Sequence, residues 1–285
     1  MYDKPFSRNS PGCIVLLVDR SDSMKGEWGD SGVSMADGAA RAINEILLEL
    51  CIKCTKEVGG VARDYFSLLI LGYGIRPGSG GEGVESALGG ALAGRNLVPI
   101  PDLYRNPIGV REEPSIDAVL PGARQPYWVQ SAHGYRTPMC EAIATAGSHI
   151  FDWVGQHADS FPPIVINITD GMVTDSPYEG ADLAEWAHRL TSIETTDGAT
   201  LLFNIFLSQR PDRPLMFPVT ADGLPTPGPE LFRISSPLPQ PMIDSARSGG
   251  QSIAPGARGL GFQANLGMLV RFLEIGTRVN DIRDR

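Results

Sequence analysis

Two stretches decide the fold: residues 13–24, CIVLLVDRSDSM, and residues 164–171, IVINITDG. Each is an apolar run rich in β-branched residues that ends abruptly in an aspartate followed by turn residues. A strand buried on both faces of a parallel sheet reads this way, and it delivers a polar group to the carboxyl edge of the sheet. That edge is where open α/β sheets keep their ligands. The first stretch ends in Asp19-x-Ser21-x-Ser23, one carboxylate and two hydroxyls on alternate residues of a turn. All are oxygen donors small enough to converge on one point, a set suited to a hard cation, Mg²⁺ or Mn²⁺.

DxSxS at the end of a first strand resembles the metal-ion-dependent adhesion site (MIDAS) of the von Willebrand factor A (vWA) family. That site also uses a threonine from a later loop and an aspartate from a later strand end. Candidates occur in the same order, Thr137 in HGYRTPMCEAI and Asp170 in NITDG. The resemblance implies an α/β, Rossmann-like fold with a central, mostly parallel sheet, one antiparallel edge strand and helices on both faces. It also implies a metal site made of Asp19, Ser21, Ser23, Thr137 and Asp170. Protein oxygens then fill only part of an octahedral shell, which leaves a position for an incoming group. In the family that group is an Asp or Glu of a partner protein. The helix and strand order is similar to bacterial stand-alone members, including the tellurium-resistance type that accompanies phosphatase and kinase proteins.

With 285 residues, 42% of them hydrophobic, the chain can bury a full core. Because one sheet can use both a strand at 13–18 and a last helix at 266–277, we expect a single domain over 1–285. It carries a Gly/Pro-rich insertion at about 74–131 and a Pro-rich excursion at about 208–241. A net charge of −9 without a Lys/Arg-rich run argues against nucleic acid and against an anionic membrane surface. The N-terminal apolar run is only strand-length, too short for a signal segment or a membrane span, so a cytoplasmic location is expected. The four cysteines include a CxxC at Cys51 and Cys54. It falls near a helix end, where the dipole disfavours a thiolate, and core packing is the expected role.

Around these stretches the pattern alternates. A helix is expected from Ser34, with Ile43, Ile46, Leu47, Leu50 and Cys54 on its buried face and Gly59–Gly60 as its stop. A strand follows at 65–71. The edge strand and short β pieces at 97–100 and 127–130 belong to the insertion. Thr137, preceding Pro138, is expected to cap a helix running to about Val154. Asp175 is either a cap or a supporting group. A helix at 181–193, a strand at 200–207, a short helix at 242–247 and a strand at 258–263 lead to a final helix, with Asn265 as cap and Leu266, Leu269, Val270 and Leu273 on one face. By analogy with the family, that helix is a candidate two-state element coupled to the Thr137 loop.

Two other function classes compete with the interaction module. In haloacid-dehalogenase-type phosphotransferases a strand ends in Asp-x-Asp, the second acid serving as proton donor. Ser21 stands there in this chain and cannot supply that proton near neutral pH. The histidines at 133, 149, 157 and 188 form no HExxH motif and no evident triad, and the sequence has no phosphate-cradling glycine loop. His133 precedes Thr137 closely but reads as an exposed loop residue, so no enzymatic activity is expected. The third class keeps the fold and uses a cation only for stability.

Overall fold

The computed structural model describes residues 1–285 apart from 30, 56–59, 77–79, 113–123, 211, 249, 266, 270, 271 and 273–285. In chain order the elements are β1 (Gly12–Arg20), α1 (Met35–Lys53), β2 (Phe66–Ile75), β3 (Glu82–Ser86), β4 (Val98–Pro99), α2 (Ile100–Arg105), β5 (Gly109–Glu112), β6 (Arg124–Tyr127), α3 (Met139–Gln156), β7 (Ile164–Thr169) and α4 (Leu183–Thr191). They continue with β8 (Glu194–Thr195), β9 (Gly198–Ala199), β10 (Leu201–Leu207), β11 (Leu215–Met216), α5 (Gly228–Ile234), α6 (Gln240–Ser248) and β12 (Leu260–Ala264). The main sheet runs β11-β12-β10-β7-β1-β2-β3, with β4 also on β2. Pairings from β12 through to β2 are parallel. Strand β3 closes one side antiparallel, as expected of the edge, and the two-residue β11 adds antiparallel pairing at the other.

Strand β1 shows why the apolar run is continuous. All nine of its residues are buried, and successive side chains enter different cores because side chains alternate across a sheet. Ile14, Leu16 and Val18 pack with Ile43, Ile46 and Leu47 of α1. Cys13, Val15 and Leu17 pack with Ile143 and Ile150 of α3 and Leu190 of α4 on the other face. The chain leaves β1 through α1 to β2 on one side, and later reaches β7 on the other through α3. The carboxyl ends of β1 and β7 therefore flank a topological switch point, where an open α/β sheet leaves a crevice.

Some boundaries differ from the sequence reading. Helix α1 starts as expected, with the Ser34 side chain accepting from the Asp37 amide at 3.0 Å. It ends at Lys53, before Gly60, and Gly59 lies outside the described residues. Cys51 and Cys54 are free and buried, and burial pushes both thiols up to about 12. The edge strand occupies Glu82–Ser86, a stretch without an apolar run, because it takes its register from β2 and covers little core. The expected piece at 97–100 becomes β4 and the start of α2. The piece at 127–130 is split: Tyr127 ends β6, which pairs with β5 apart from the main sheet, while Val129 bridges Leu88.

The insertion is held by a buried asparagine. The Asn44 side chain accepts from the Trp128 and Val129 amides at 2.8 and 3.0 Å and donates to the Val129 carbonyl at 2.8 Å. The Pro-rich excursion contains β11 and α5 and reaches the start of α6. Of the final helix, Asn265 caps as expected, accepting from the Met268 amide at 3.0 Å. Leu269 and Phe272 are buried, and Phe272 stacks on Phe217 with centroids 5.0 Å apart. Leu266, Val270 and Leu273 lie outside the described residues. Among the described residues no helix is long and apolar enough to cross a membrane.

Candidate metal centre

The five candidate oxygen-bearing residues meet at the carboxyl ends of β1 and β7. Asp19 is almost fully buried. Its Oδ1 accepts from the Ser21 amide at 2.8 Å, a turn in which the side chain fixes its own backbone, and its Oδ2 accepts from the Thr169 hydroxyl at 2.7 Å. The Ser21 and Ser23 hydroxyls are 3.0 Å apart, and Ser23 donates to Asp170 Oδ1 at 2.8 Å. Gly171 completes the cradle. A Cβ built there would stand 3.3 Å from Thr137 Oγ1, 3.8 Å from Ser23 Oγ and 4.0 Å from Asp19 Oδ2. Three donors thus surround a space that any side chain at position 171 would begin to fill. Asp19, Ser21 and Thr137 form its buried floor, Asp170 is half-buried, and Ser23 is exposed at the open side.

Hydrogen bonds between loops hold this arrangement. The Gly134 amide donates to the Arg20 carbonyl at 2.8 Å and the Asp22 amide to the Tyr135 carbonyl at 3.0 Å, so the Thr137 loop is fastened to the DxSxS turn. On the other side the Thr137 amide donates to Thr174 Oγ1 at 2.9 Å, and the Thr174 amide to the Thr137 carbonyl at 3.1 Å.

Thr137 is not the helix cap that its position before Pro138 suggests, since α3 has no side-chain cap from that end. Asp175 does the capping, accepting from the Cys140 and Glu141 amides at 3.1 and 2.8 Å. A carboxylate at a helix N-terminus satisfies free amides and complements the dipole, and this leaves the Thr137 hydroxyl to the cradle. Asp22 points elsewhere, exposed and paired with Lys25 at 2.6 Å. His133 is exposed and contributes to the electrostatics of Asp37, not of the cradle.

Charge is unbalanced here. Burial, then the nearby Asp170, raises the Asp19 carboxyl to about 7, against the lowering effect of its hydrogen bonds from Ser21 and Thr169. Burial also raises Asp170. Among the described residues no cationic side chain offsets either group. One buried and one half-buried carboxylate beside three hydroxyls, with one face open, fit a small hard dication. Among the described residues no group of three or more His, Cys, Asp or Glu gathers as a metal site. The candidate set therefore depends on hydroxyls, which suits a loosely held, exchangeable ion.

Sequence reasoning missed Thr169. Its signal lay in its place, directly before Asp170 on a strand paired with β1. It also missed a buried polar chain beneath the cradle. Tyr73 donates to Asn167 at 2.7 Å, Asn167 to Asn204 at 3.0 Å, and Asn204 to Ser235 at 3.0 Å. An asparagine inside each of two apolar strands, β7 and β10, was the available sign.

The protein so described is a doubly wound α/β protein with an oxygen-lined cradle at its switch point. No family model matches its sequence, and no curated protein matches it either. Among solved structures it is similar to the manganese-loaded TRAP protein of Plasmodium vivax, at 14% identity and a TM-score of 0.42 over 94% of this chain and 74% of that one. It is also similar to the PilB minor pilin of Streptococcus sanguinis, at 12% identity and 0.46 over 95% and 61%. A third likeness is to three N-terminal domains of the type V pili tip protein Mfa5 of Porphyromonas gingivalis, at 11% and 0.32 over 58% and 20%. At such identities and scores these likenesses add nothing to what the strand order itself shows.

Proposed function

We propose that this chain is a cation-dependent protein interaction module of the vWA type, without enzymatic activity. The convergence of Asp19, Ser21, Ser23, Thr137 and Asp170 on the space beside Gly171 carries this reading. Ser21, Ser23 and Thr137 offer hydroxyls to Mg²⁺ or Mn²⁺, and Asp19 and Asp170 offer charge. A bound dication supplies a Lewis-acidic position open to an exogenous carboxylate, so that cation binding and capture of a partner's Asp or Glu are one event. Thr169 holds Asp19 in its rotamer, and the Asp22–Lys25 pair keeps the extra acid of the motif away from the incoming group. Tyr135, two residues before Thr137, and Met172, directly after Gly171, are both at least half exposed, which suits a protein ligand better than a small solute.

The partner is expected to be cytoplasmic and to present an acidic side chain, a phosphatase or kinase of a stress-response or metal-resistance system being the first to test. The test is titration of Mg²⁺ and Mn²⁺ into the metal-free protein, followed by partner capture with Mg²⁺ and with EDTA. Saturable binding that Asp19→Asn abolishes, together with Mg²⁺-dependent capture, supports the module. Cation-dependent stability without cation-dependent capture reduces it to a structural site, and no cation binding at millimolar concentration refutes it.

A further inference from the structure

Arg20 directly follows Asp19 in β1, and its side chain takes the opposite face of the sheet. It is 3% exposed, and its stem crosses Gly72 of β2, where a built Cβ would lie 2.7 Å from Arg20 Cδ and Nε. Only a glycine leaves room for that path. The guanidinium makes two long hydrogen bonds, both from Nη2 at 3.4 Å, to the carbonyls of Ala87 and Gln130. Nε and Nη1 make no hydrogen bond among the described residues, and no carboxylate there lies within ion-pair distance of the group, although the charge of Glu85 acts on it. A buried cation with unused donors is costly unless something fills its fork.

The guanidinium lines a cavity of about 360 Å³ between β3 and the segment leading into the Thr137 loop, separate from the cradle. Leu88, Ile108 and Ala93 give the cavity apolar walls, and Ala93 lies exposed at its margin. Glu85, also in the lining, stands opposite Gly72 across the β2–β3 ladder and so shares the face that Arg20 crosses. One cation and one anion leave the cavity near neutral, which disfavours a dianion such as phosphate. A monoanion with two oxygens in one plane can take Nε–H with one oxygen and, in place of one of the long carbonyl bonds, Nη2–H with the other. We propose that this cavity binds a carboxylate carried on a short apolar body, with Arg20 gripping the carboxylate and Leu88 and Ile108 covering the rest.

The carboxylate can belong to a free small acid or to the C-terminus of a protein chain, and the same experiment separates them. N-acetyl-leucine is titrated into the full chain by calorimetry and ligand-observed NMR in EDTA, so that cation-dependent capture of a carboxylate in the cradle cannot contribute. Saturable millimolar or tighter binding is expected, with none for N-acetyl-leucinamide. Arg20→Lys keeps the charge but loses the fork and is expected to weaken binding at least tenfold. Ala93→Phe occupies the mouth from an exposed position and gives the same loss while leaving Arg20 intact. A hexapeptide ending in leucine that binds more tightly than N-acetyl-leucine assigns the site to a chain terminus; weaker binding assigns it to a free acid. Absence of binding to wild type, binding unchanged in folded Arg20→Lys and Ala93→Phe, or displacement by inorganic phosphate at equal concentration overturns the proposal. Loss of cation binding in the cradle leaves this result unaffected, so the two readings fail separately.

Discussion

Asp19 and Arg20 are neighbours in the chain, yet they face opposite sides of the sheet and make opposite demands. On one side two carboxylates sit among hydroxyls with no cationic side chain beside them among the described residues; on the other a guanidinium lies over a glycine, out of ion-pair distance of the Glu85 carboxylate that shares its cavity. The two charges do not neutralise each other because a strand sends successive side chains to different faces. Structural charges in a sheet core are ordinarily paired where they stand. Two buried groups of opposite sign at the end of one strand thus stand in separate environments, one acidic and one close to neutral.

The largest effect expected from breaking this contrast is at Asp19. Its carboxyl titrates at about 7 in the metal-free fold against 3.8 unfolded, so the folded state holds the extra proton between those values. Stability from this group is therefore full below about pH 4 and is lost as pH rises through 7. The difference corresponds to an upper figure of roughly 4 kcal/mol. Asp19→Asn should remove that decline and raise metal-free stability at pH 8, measured by urea unfolding across pH, while abolishing any response to Mg²⁺. Wild type in excess Mg²⁺ should regain stability at pH 8, by about 2.7 kcal/mol at a hundredfold excess over Kd. A metal-free protein whose stability is flat from pH 4 to 8 would show that Asp19 is not held under charge stress.

Filling the cradle is the next test. Gly171→Val places methyl groups against Thr137 Oγ1 and Ser23 Oγ, and cation affinity by calorimetry should fall at least about tenfold, or 1.4 kcal/mol. Because position 171 is a half-exposed turn, the melting temperature of the metal-free protein should barely change. Equal cation affinity in wild type and variant would place the ion elsewhere.

The smallest effects separate capping from coordination. Asp175→Ala removes the acceptor of two α3 amides and should cost about 1 kcal/mol of stability, with cation affinity nearly intact. Thr137→Ala should do the reverse, weakening the cation severalfold with little change in the unfolding midpoint. If the two variants behaved alike, the division of labour between Thr137 and Asp175 would be wrong.

Local patterning suffices for the two central strands and for where their acids fall. A run such as CIVLLV or IVINIT has few options other than burial on both faces, and the next residue must then emerge at the strand end. Asp19, Ser21 and Ser23 come together by covalent adjacency, so their cluster was legible before any tertiary contact. The helix starts at Ser34 and Asn265 were legible for the same local reason, a short polar side chain reaching an amide of the first turn. Long-range contacts set the rest. Thr137 was freed from capping because Asp175, far along the chain, took the α3 amides. Strand Glu82–Ser86 was set by β2 and not by its own glycine- and glutamate-bearing sequence. The buried charge of Arg20 acquired its cavity from Gly72, Glu85 and Gln130, whose common location follows from strand pairing and loop docking. Those outcomes depend on contacts between residues distant in sequence, and no local pattern encodes which distant partner arrives.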